Sequence, residues 1–339
     1  MKNIILIYGG EGAERDISLL SAKNAYSALS GTDYSVTPVY ISPDGGWYVG
    51  GTDPFGKMPT AGAKPTYPVR LHKTSGLLVG DGIMTVDAAI PILHGDYGED
   101  GIIQGALDAA HIPYVGCGVA AGAVSADKSL AKHIARSLGI PTADWIVESG
   151  ATFSDLERAR SRAEQRIGYP MFIKPTSLGS SIGASAVYDA TKFDSAYLRA
   201  ASHGRVLIER LIDCDHECEC AFLSFGKRAH YLAEGRISTG GKAYGYREKY
   251  VEKADYATLS DSTPTSRKIE KTAKKLGDAI GIRGIARLDF FVTREGEIYF
   301  NEINTLPGMT EASLYPALTE RMGYKKGEFL TLLIEDLLS

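Results

Sequence analysis

Apolar and polar residues alternate in two stretches near the C-terminal end of the chain, residues 287–292 and 298–304. Period two of this kind predicts two β-strands. Glu295 and Gly296 lie between the stretches and fit a two-residue hairpin turn. The pattern therefore predicts a β-hairpin.

That hairpin would bring acidic side chains together. The two-residue turn places Asp289 opposite Glu302 and Arg287 opposite Asn304, with Glu302 and Asn304 on one face. Opposed carboxylates about 5 Å apart repel each other. A hard divalent cation bound by oxygen ligands, as Mg²⁺ is, offsets that repulsion. The alternative is a solvated hairpin whose carboxylates have Lys or Arg neighbours.

The N-terminal part of the chain alternates between apolar strand patterns and helical patterns. We predict strands at 4–8, 35–41 and 88–93, helices at 18–29 and from Ile102, a hairpin at 76–86, and a mostly irregular stretch at 42–73. Strands alternating with helices predict an α/β fold with a doubly wound parallel sheet that binds ligands at the strand C-termini.

The rest of the chain divides into two further segments, so that three domains are expected at 1–117, 118–215 and 216–339. The second segment has helical patterns at 128–138 and 154–167, and strands near Trp145, at 171–174 and at 184–188. The third is rich in strands up to Pro264 and continues with a helix at 266–280, the acidic hairpin and a C-terminal helix. This mixture of α/β and α+β segments suits a chain too long for one ordinary domain.

Composition excludes several classes of function. The net charge of −4 gives no basic footprint for nucleic acid. No apolar run approaches the ~20 residues that a membrane-spanning helix needs. The N-terminal apolar stretch reads as a buried strand rather than a signal peptide, so we expect a cytoplasmic protein without membrane or nucleic-acid partners.

Three of the four cysteines, Cys214, Cys218 and Cys220, lie close together in the sequence, and Cys117 is separate. A soft-metal site is conceivable, but a fourth ligand at zinc spacing is missing. A Cys-x-Cys pattern in a strand also directs both sulfurs to one face. We therefore expect unbridged structural thiols, in keeping with a reducing compartment.

The glycine-rich segment 9–15 follows the first strand and precedes a helix, which is an anion-binding arrangement. A dinucleotide fingerprint would have glycine where Arg15 stands, which weakens an NAD-binding interpretation. Glu14 at the helix start has two possible roles. It could cap the helix and its dipole, or it could bind the ammonium group of a small zwitterionic substrate.

Two further loops have the composition of ligand-binding segments. Residues 174–183 hold Lys174, glycines and serines between two strands, which favours phosphate binding by a flexible lid over an ordinary hairpin turn. Residues 238–250 contain glycines with Tyr and Lys donors, which suits either a closing loop or a surface loop without a role.

Two weaker signals complete the set. His94 and Glu99 follow a buried strand, where His94 could orient a substrate, or the two could hydrogen-bond each other and brace the loop. The strand at 206–209 ends at Glu209. Its exit could present backbone groups to adenine, and Glu217 could bind a ribose.

Several motifs occur together and in one order along nearly the whole chain. They are Gly9-Gly10-x-x-Ala13-Glu14-Arg15-x-x-Ser18, His94-Gly-x-x-Gly-Glu-Asp-Gly101 with Gln104-Gly105, Asp127-Lys128, Lys174-Pro175 with Gly179-Ser180-Ser181-x-Gly183, Glu248-Lys249-Tyr250, Arg287-x-Asp289, and Asn301-Glu302-x-Asn304 with Pro307-Gly308-x-Thr310. Together they resemble the D-alanine–D-alanine ligase family of the ATP-grasp superfamily.

The resemblance implies an ATP-grasp fold with an N-terminal substrate domain, a central subdomain carrying the Gly/Ser lid loop, and a C-terminal subdomain carrying the metal site. It also implies roles for individual residues. The residues that would bind ATP are Lys128, Lys174, Ser181, Glu209, Glu217 and Lys249. Those that would hold two Mg²⁺, which Mn²⁺ could replace, are Asp289, Glu302 and Asn304. The residues that would contact the amino acids or act in catalysis are Glu14, His94, Ser180, Tyr250, Arg287, Gly308, Ser313 and Leu314.

In that family, ATP phosphorylates the carboxylate of a first D-alanine, and the amine of a second D-alanine attacks the acyl phosphate. The resemblance assigns the first ammonium to Glu14, which would join Ser180 and Tyr250 in a hydrogen-bonded network. Arg287 and the Gly308 N–H would stabilise the oxyanion. The product, D-alanyl-D-alanine, would serve peptidoglycan precursor synthesis, and a homodimer is implied.

The chain departs from the family pattern at the acceptor pocket. Glu311 and Ala312 stand where relatives often have Ser-His, so D-serine is an alternative acceptor. Leu314 offers a serine hydroxyl no partner and Tyr250 matches the dipeptide-forming ligases, which both favour D-alanine. The segment from Cys214 to His216 is one residue longer than the common spacing. Rival functions are an ATP-grasp ligase for other amino acids, an NAD-binding dehydrogenase and a non-catalytic nucleotide-binding protein.

Overall fold

The computed structural model describes residues 1–12, 14–49, 67–238, 257–310, 313–325 and 327–339. Within these residues the chain forms three sheets of seven, four and five strands. Each predicted segment contains one of the sheets, while the domain boundaries themselves stay predictions. In the described part of the chain, no helix has both the length and the apolar character needed to cross a membrane.

The first sheet has the strand order β6-β5-β4-β3-β2-β1-β7. Its strands are β1 (Lys2–Gly9), β2 (Tyr34–Ile41), β3 (Trp47–Val49), β4 (Tyr67–His72), β5 (Gly76–Val79), β6 (Gly82–Thr85) and β7 (Ala88–Ile92), with helices α1 (Arg15–Leu29) and α2 (Ile102–Ala109). Strand β1 pairs in parallel with β2 and β7, and its residues Ile4 to Ile7 are fully buried, as expected of a strand covered on both faces.

The predicted parallel pairing is found for β1, β2 and β7, and the predicted hairpin at 76–86 is the antiparallel pair of β5 and β6. Strands β3 to β6 extend the sheet by antiparallel pairing. Strands β3 and β4 also lie in the stretch that was predicted to be mostly irregular, which was wrong for these residues. Both strands are short, and the Gly and Pro residues around them leave too few alternating apolar and polar positions to indicate a strand.

The second sheet has the order β10-β9-β11-β8 and is antiparallel throughout. Its strands are β8 (Trp145–Glu148), β9 (Met171–Pro175), β10 (Ser185–Val187) and β11 (Val206–Arg210), and the helices of this part are α3 (Val119–Ala126), α4 (Lys128–Ser137), α5 (Phe153–Arg166) and α6 (Phe193–Ala201), with a 3₁₀ turn at Ala190–Lys192. Helix α4 begins at Lys128 because the Asp127 carboxylate accepts from the N–H groups of Ser129 and Leu130.

The third sheet has the order β14-β13-β12-β15-β16 and is also antiparallel. Its strands are β12 (His216–Phe225), β13 (Arg228–Ile237), β14 (Ala257–Leu259), β15 (Ile285–Val292) and β16 (Ile298–Asn304), and the helices are α7 (Pro264–Ile280), α8 (Leu314–Arg321) and α9 (Glu328–Leu338). The acidic hairpin is the β15–β16 pair.

Three hydrophobic clusters hold these layers together. The first contains the core of the first sheet and also Leu306, Met309 and Tyr315, which follow strand β16. The segment after the acidic hairpin therefore packs against the N-terminal sheet, which brings residues from opposite ends of the chain to one place.

Candidate active site

The acidic hairpin has the predicted pairing. Strands β15 and β16 are antiparallel, with Asp289 opposite Glu302 and Arg287 opposite Asn304. Both carboxylates have cationic neighbours, Arg287 for Asp289 and Lys128 for Glu302. The cationic neighbours expected in the alternative to metal binding are therefore present, while metal binding by the hairpin stays a prediction.

The predicted two-residue turn is wrong. Thr293 N–H donates to the Glu297 carbonyl oxygen at 2.9 Å, so the loop has three residues, with Gly296 in the left-handed region at φ +79°. The three-residue loop shifts the strand pairing by one residue from the predicted register. A β-bulge at Asn301 shifts the register back, so Asp289 still lies opposite Glu302. The bulge re-aims side chains, and the consecutive residues Asn301 and Glu302 both line the same cavity.

This large cavity has a volume of about 400 Å³ and lies between strands β9 and β11 and the acidic hairpin. It contains every described residue that was predicted to bind ATP. These residues are Lys128, Lys174, Ser181, Glu209 and Glu217, while Lys249 lies outside the described residues. Apolar side chains of Phe172, Leu211 and Ile212 also line it. A cavity with an apolar wall and several cations is suited to a base and a phosphate chain.

The floor of the large cavity consists of buried ion pairs. Lys128 Nζ lies 3.3 Å from Glu302 Oε2, and Lys174 Nζ lies 2.7 Å from Glu209 Oε1. Lys174 also donates to Asn301 Oδ1 at 3.1 Å. Burial raises the pKa of Glu209, but the neighbouring lysines outweigh it and hold that pKa at about 2.

Lys132 is a member of this floor that the sequence reasoning missed. It follows Lys128 by one turn of α4, its side chain is fully buried, and its Nζ lies 3.0 Å from Glu209 Oε2. Burial lowers its pKa, while Glu209 opposes that shift. Its i, i+4 spacing places it on the same helix face as Lys128, but its partner Glu209 is distant in the sequence.

The Gly/Ser loop closes one side of the large cavity. Ser180 and Ser181 adopt left-handed backbone conformations at φ 52° and 57°, which are uncommon outside glycine. Lys128 Nζ donates to the Leu178 carbonyl oxygen at 2.8 Å, which ties the loop to α4. The Ser180 hydroxyl donates to Glu14 Oε1, so the loop also reaches the N-terminal sheet.

A small cavity of about 120 Å³ adjoins the large one. It brings together the described residues that were predicted to contact amino acids. These are Glu14, His94, Ser180, Arg287, Gly308, Ser313 and Leu314. Tyr250, Glu311 and Ala312 lie outside the described residues. Gly179, Ser180 and Glu302 line both cavities, which therefore meet at these residues.

Glu14 stands at the first position before α1, but its side chain makes no capping hydrogen bond there. The carboxylate is directed to Ser180 and the small cavity instead. Of its two predicted roles, helix capping is therefore not the one that the side chain performs.

Arg287 forms a two-pronged contact with its neighbour Asp289. Nε donates to Oδ1 at 2.8 Å and Nη2 donates to Oδ2 at 2.7 Å, while Glu219 Oε1 lies 3.5 Å from Nε. Burial lowers the pKa of Arg287, but the two carboxylates outweigh it and raise that pKa further above its usual range. Glu219 was missed in the sequence, although period two in β12 places it opposite Asp289.

His94 and Glu99 brace the site, but not through each other. Glu99 accepts hydrogen bonds from Gly95 N–H and Leu306 N–H, both at 3.1 Å. His94 Nε2 lies 3.1 Å from Ser21 Oγ. Burial lowers the pKa of His94 to about 4, so the ring is neutral, and burial followed by the charge of Glu14 raises the pKa of Glu99 to about 7.

Helix α1 holds the segment that contains Gly308. Met309 N–H donates to Ser21 Oγ at 3.3 Å, and Asn24 Nδ2 donates to the Met309 carbonyl oxygen at 2.9 Å. A Cβ at Gly308 would lie 2.7 Å from Ser313 Oγ, so a larger residue here would displace the Ser313 side chain in the small cavity. No pattern in the sequence points to Ser21 or Asn24, because their partner Met309 lies at the other end of the chain.

Three oxygen-bearing side chains of the hairpin were predicted to bind metal. Asn304 Nδ2 donates to Asp289 Oδ2 at 3.1 Å, and Glu302 lies across from Asp289. Within the described residues, the hairpin included, no three His, Cys, Asp or Glu side chains form a group that could hold a metal ion; the hairpin offers two carboxylates and one amide. Two carboxylates with an amide oxygen are a hard donor set, which suits Mg²⁺ or Mn²⁺.

The cysteines are free thiols, as predicted. Cys218 and Cys220 share one side of β12 and lie in the second hydrophobic cluster. Burial raises the pKa of Cys117 and Cys214 to about 11 and that of Cys218 to about 12, so these thiols stay protonated near neutral pH.

The three sheets and the cavity between the second and third of them define an ATP-grasp fold. Solved structures share it over the full chain. The VanG D-Ala:D-Ser ligase from Enterococcus faecalis matches with a TM-score of 0.86 and 29% identity, covering 99% of both chains. The D-alanine-D-alanine ligase from Coxiella burnetii matches with a TM-score of 0.83 and 30% identity, covering 100% of this chain and 95% of that one.

Sequence comparison narrows this class to one family. The D-ala D-ala ligase N-terminus family model matches residues 3–117, and the D-ala D-ala ligase C-terminus model matches residues 134–335. The D-alanine–D-alanine ligase of Thermoanaerobacter sp. strain X514 is 35% identical over 346 residues, which covers 98% of this chain and 95% of the relative. The chain belongs to the D-alanine–D-alanine ligase family, and the predicted resemblance is confirmed.

Proposed function

We propose that this protein joins two D-alanines to D-alanyl-D-alanine, with ATP as the co-substrate and D-alanyl phosphate as the intermediate. The observation that carries the proposal is the meeting of the two cavities at Ser180 and Glu302. A phosphate chain in the large cavity would end beside a small zwitterion in the other. That adjacency is what transfer of a phosphoryl group to a carboxylate requires.

The large cavity supplies the nucleotide contacts. Lys128 and Lys174 would bind phosphate oxygens, and the Ser181 region of the loop would cover them. Glu217 lines the cavity together with the apolar Leu211 and Ile212, where the base and the ribose would lie, and Glu209 holds Lys174 from the cavity floor. Phosphoryl transfer depends mainly on positioning and charge neutralisation, which these residues provide without a covalent step.

The first D-alanine would place its ammonium at Glu14 and its carboxylate towards Glu302. Ser180 joins Glu14 to the loop over the nucleotide, and Tyr250 is proposed as the third member of this network. Closure of the loops would exclude water, which otherwise hydrolyses an acyl phosphate.

The second D-alanine would attack the acyl carbon with its free amine. The tetrahedral oxyanion needs donors that are already in place, and Arg287 and the Gly308 N–H line the small cavity where it would form. Phosphate then leaves as the amide bond forms. Arg287 is held by Asp289 and Glu219, so it does not have to reorganise during the step.

Asp289, Glu302 and Asn304 would hold two Mg²⁺, with Mn²⁺ as a possible substitute and Glu302 shared between them. Bound there, the metal would neutralise charge on the transferring phosphate. The hard oxygen donors support this assignment.

D-alanine is the preferred acceptor in this proposal because Leu314 lines the small cavity with an apolar side chain. A D-serine hydroxyl placed there would lose its hydrogen bonds to water without replacement. The likeness to the VanG ligase keeps D-serine as the alternative acceptor. We also propose that the protein acts in peptidoglycan precursor synthesis, lies in the cytoplasm and forms a homodimer. Its three domains would carry the substrate site, the Gly/Ser lid loop and the metal site.

Two measurements test the proposal. Phosphate release from ATP should depend on D-alanine and should not occur with L-alanine. Mass spectrometry of products from an equimolar mixture of D-alanine and D-serine should show mainly D-alanyl-D-alanine. Release of phosphate without amino acid, or no release at all, would contradict ligase activity. A predominance of D-alanyl-D-serine would contradict the acceptor assignment alone.

A further inference from the structure

Lys132 is the most deeply buried charged group near the proposed nucleotide site. Its side chain has no exposure, and it is not one of the residues that line the large cavity. Its ammonium lies 3.0 Å from Glu209 Oε2 and 6.0 Å from the centre of the Trp145 ring. Because Lys132 does not line the cavity, we expect its main effect on binding to pass through its ion-pair partner Glu209.

Removing an ammonium group from water is unfavourable unless a strong partner compensates. Lys132 has such a partner in Glu209, whose two carboxylate oxygens are divided between two lysines. Oε2 faces Lys132 and Oε1 faces Lys174 at 2.7 Å. Lys132 and Lys174 therefore hold the Glu209 carboxylate from two sides by charge attraction, although the Lys132 Nζ and Glu209 Oε2 atoms are not aligned as a hydrogen bond.

The chain of contacts continues into the cavity. Lys174 Nζ donates to Asn301 Oδ1 at 3.1 Å, and Asn301 is the bulge residue directly before Glu302. Lys174 is thus held on one side by the Glu209 carboxylate, which is paired with Lys132, and on the other side by Asn301 of the hairpin. Without Lys132, the Glu209 carboxylate would keep one cation and could turn, carrying Lys174 away from the cavity.

We propose that Lys132 is a positioning residue for nucleotide binding, which acts by locking Glu209 so that Glu209 presents Lys174 to the phosphate chain. This inference rests on the proposed function, because it takes the large cavity as the ATP site. It adds a residue that has no ligand contact of its own.

A double-mutant cycle on Lys132 and Glu209 tests the coupling, with the Kd for ATP measured by calorimetry in the presence of Mg²⁺. Lys132→Met should weaken ATP binding at least tenfold, and Glu209→Gln should weaken it at least as much. In the Glu209→Gln background, Lys132→Met should add less than a threefold loss, because the group through which it acts has already been removed. Arg136→Met is the matched control. Arg136 lies one turn further along α4 and is exposed, and its guanidinium carbon lies 4.1 Å from the centre of the same Trp145 ring.

Kinetics give a readout that loss of stability alone would not change. Lys132→Met should raise the KM for ATP at least tenfold and the KM for D-alanine less than twofold. If Lys132→Met does not fold, the double variant Lys132→Met/Glu209→Gln is used instead, because it buries neither the ammonium nor the carboxylate. The Kd of the double variant for ATP is then compared with that of Glu209→Gln. Unchanged ATP binding in Lys132→Met, or losses that multiply in the double variant, would overturn the inference. Wild-type protein that binds ATP but does not ligate D-alanine would contradict the proposed function and leave the cycle valid.

Discussion

The large cavity and the small cavity meet at Glu302, but different interactions hold their walls. Around the large cavity, buried lysines and carboxylates form ion pairs between Lys128 and Glu302 and between Lys174 and Glu209. The far wall of the small cavity is the segment after strand β16. Its backbone N–H groups donate to Ser21 and Glu99, and its Met309 carbonyl oxygen accepts from Asn24, and these hydrogen bonds hold it in place.

This difference predicts how each wall responds to mutation. Loss of one member of a buried ion pair leaves a charge without a partner and typically destabilises by about 3–5 kcal/mol. Loss of one neutral hydrogen bond typically changes the free energy by about 1 kcal/mol. Substitutions at the nucleotide side should therefore have large effects, whereas substitutions of the neutral side chains behind the amino-acid side should have small effects that are confined to the chemical step.

The largest effect is expected where the two cavities join. Glu302→Gln should reduce kcat by ~10³ or more, since several kcal/mol of charge stabilisation at the transferring phosphate would be lost. The variant should still fold, with a lower melting temperature because Lys128 loses its carboxylate partner, so a drop in kcat measured on folded protein reports the loss of charge stabilisation. Glu297→Gln, at an exposed position of the same hairpin, is the control. Near-wild-type turnover in Glu302→Gln would refute the metal assignment.

The next largest effect is expected from Glu99 and depends on pH. Its pKa is raised to about 7 in the folded protein, first by burial and then by Glu14. A carboxyl group whose pKa is raised by folding contributes its full stabilisation below the pKa that it has in the unfolded chain. That contribution is lost as pH rises through about 7. Relative to the wild type, Glu99→Gln should gain up to about 3 kcal/mol in unfolding free energy between pH 4 and pH 8.

Urea denaturation of both proteins across this pH range measures that difference. The activity of Glu99→Gln should fall at the same time, because the variant loses one acceptor for the Gly95 and Leu306 N–H groups. Stability curves that run parallel at every pH would show that Glu99 ionises as freely as it does in the unfolded chain.

A moderate effect is expected at the acceptor side. Leu314→Arg should raise the ratio of D-serine to D-alanine use by about tenfold, because the new donor pairs with the serine hydroxyl. Competition between the two amino acids, followed by mass spectrometry, measures the ratio. Leu314→Met keeps the apolar character and serves as the control. An unchanged ratio in Leu314→Arg would remove this residue from the specificity argument.

The smallest effect is expected at Asn24. Asn24→Ala removes one hydrogen bond to the Met309 carbonyl oxygen, so kcat should fall about fivefold, in line with about 1 kcal/mol. The KM for ATP should stay within twofold of the wild type, and steady-state kinetics measure both. The exposed neighbour Lys23→Ala is the control. A rise in the KM for ATP equal to the fall in kcat would mean that the two walls are not independent.

The acidic hairpin shows how much of the site local pattern can predict. Pairing of Asp289 with Glu302 was predicted through a two-residue turn, yet the turn has three residues and a bulge at Asn301 restores the pairing. The result was right because two deviations cancel. Alternation alone carries no information about a bulge, which depends on how neighbouring strands and side chains pack.

Residues that act over long sequence separations could not be predicted. Lys132 reads as an ordinary charged position on an amphipathic helix, and only the fold shows that Glu209 lies beside it. Ser21 and Asn24 are likewise unremarkable until the segment at Met309 folds back onto α1. Motifs located the residues that line the cavities, whereas the residues behind them became visible only through tertiary contacts.

The bulge at Asn301 also separates the hairpin tip from the pairing of Asp289 with Glu302. Residues 293–297 close the loop, and the irregularity absorbs its odd length before the chain reaches Glu302. Insertions and deletions in the tip should therefore be tolerated during evolution without displacing the acidic donors. For protein engineering, the same tip is a place to graft an epitope or a fluorescent reporter close to the catalytic centre.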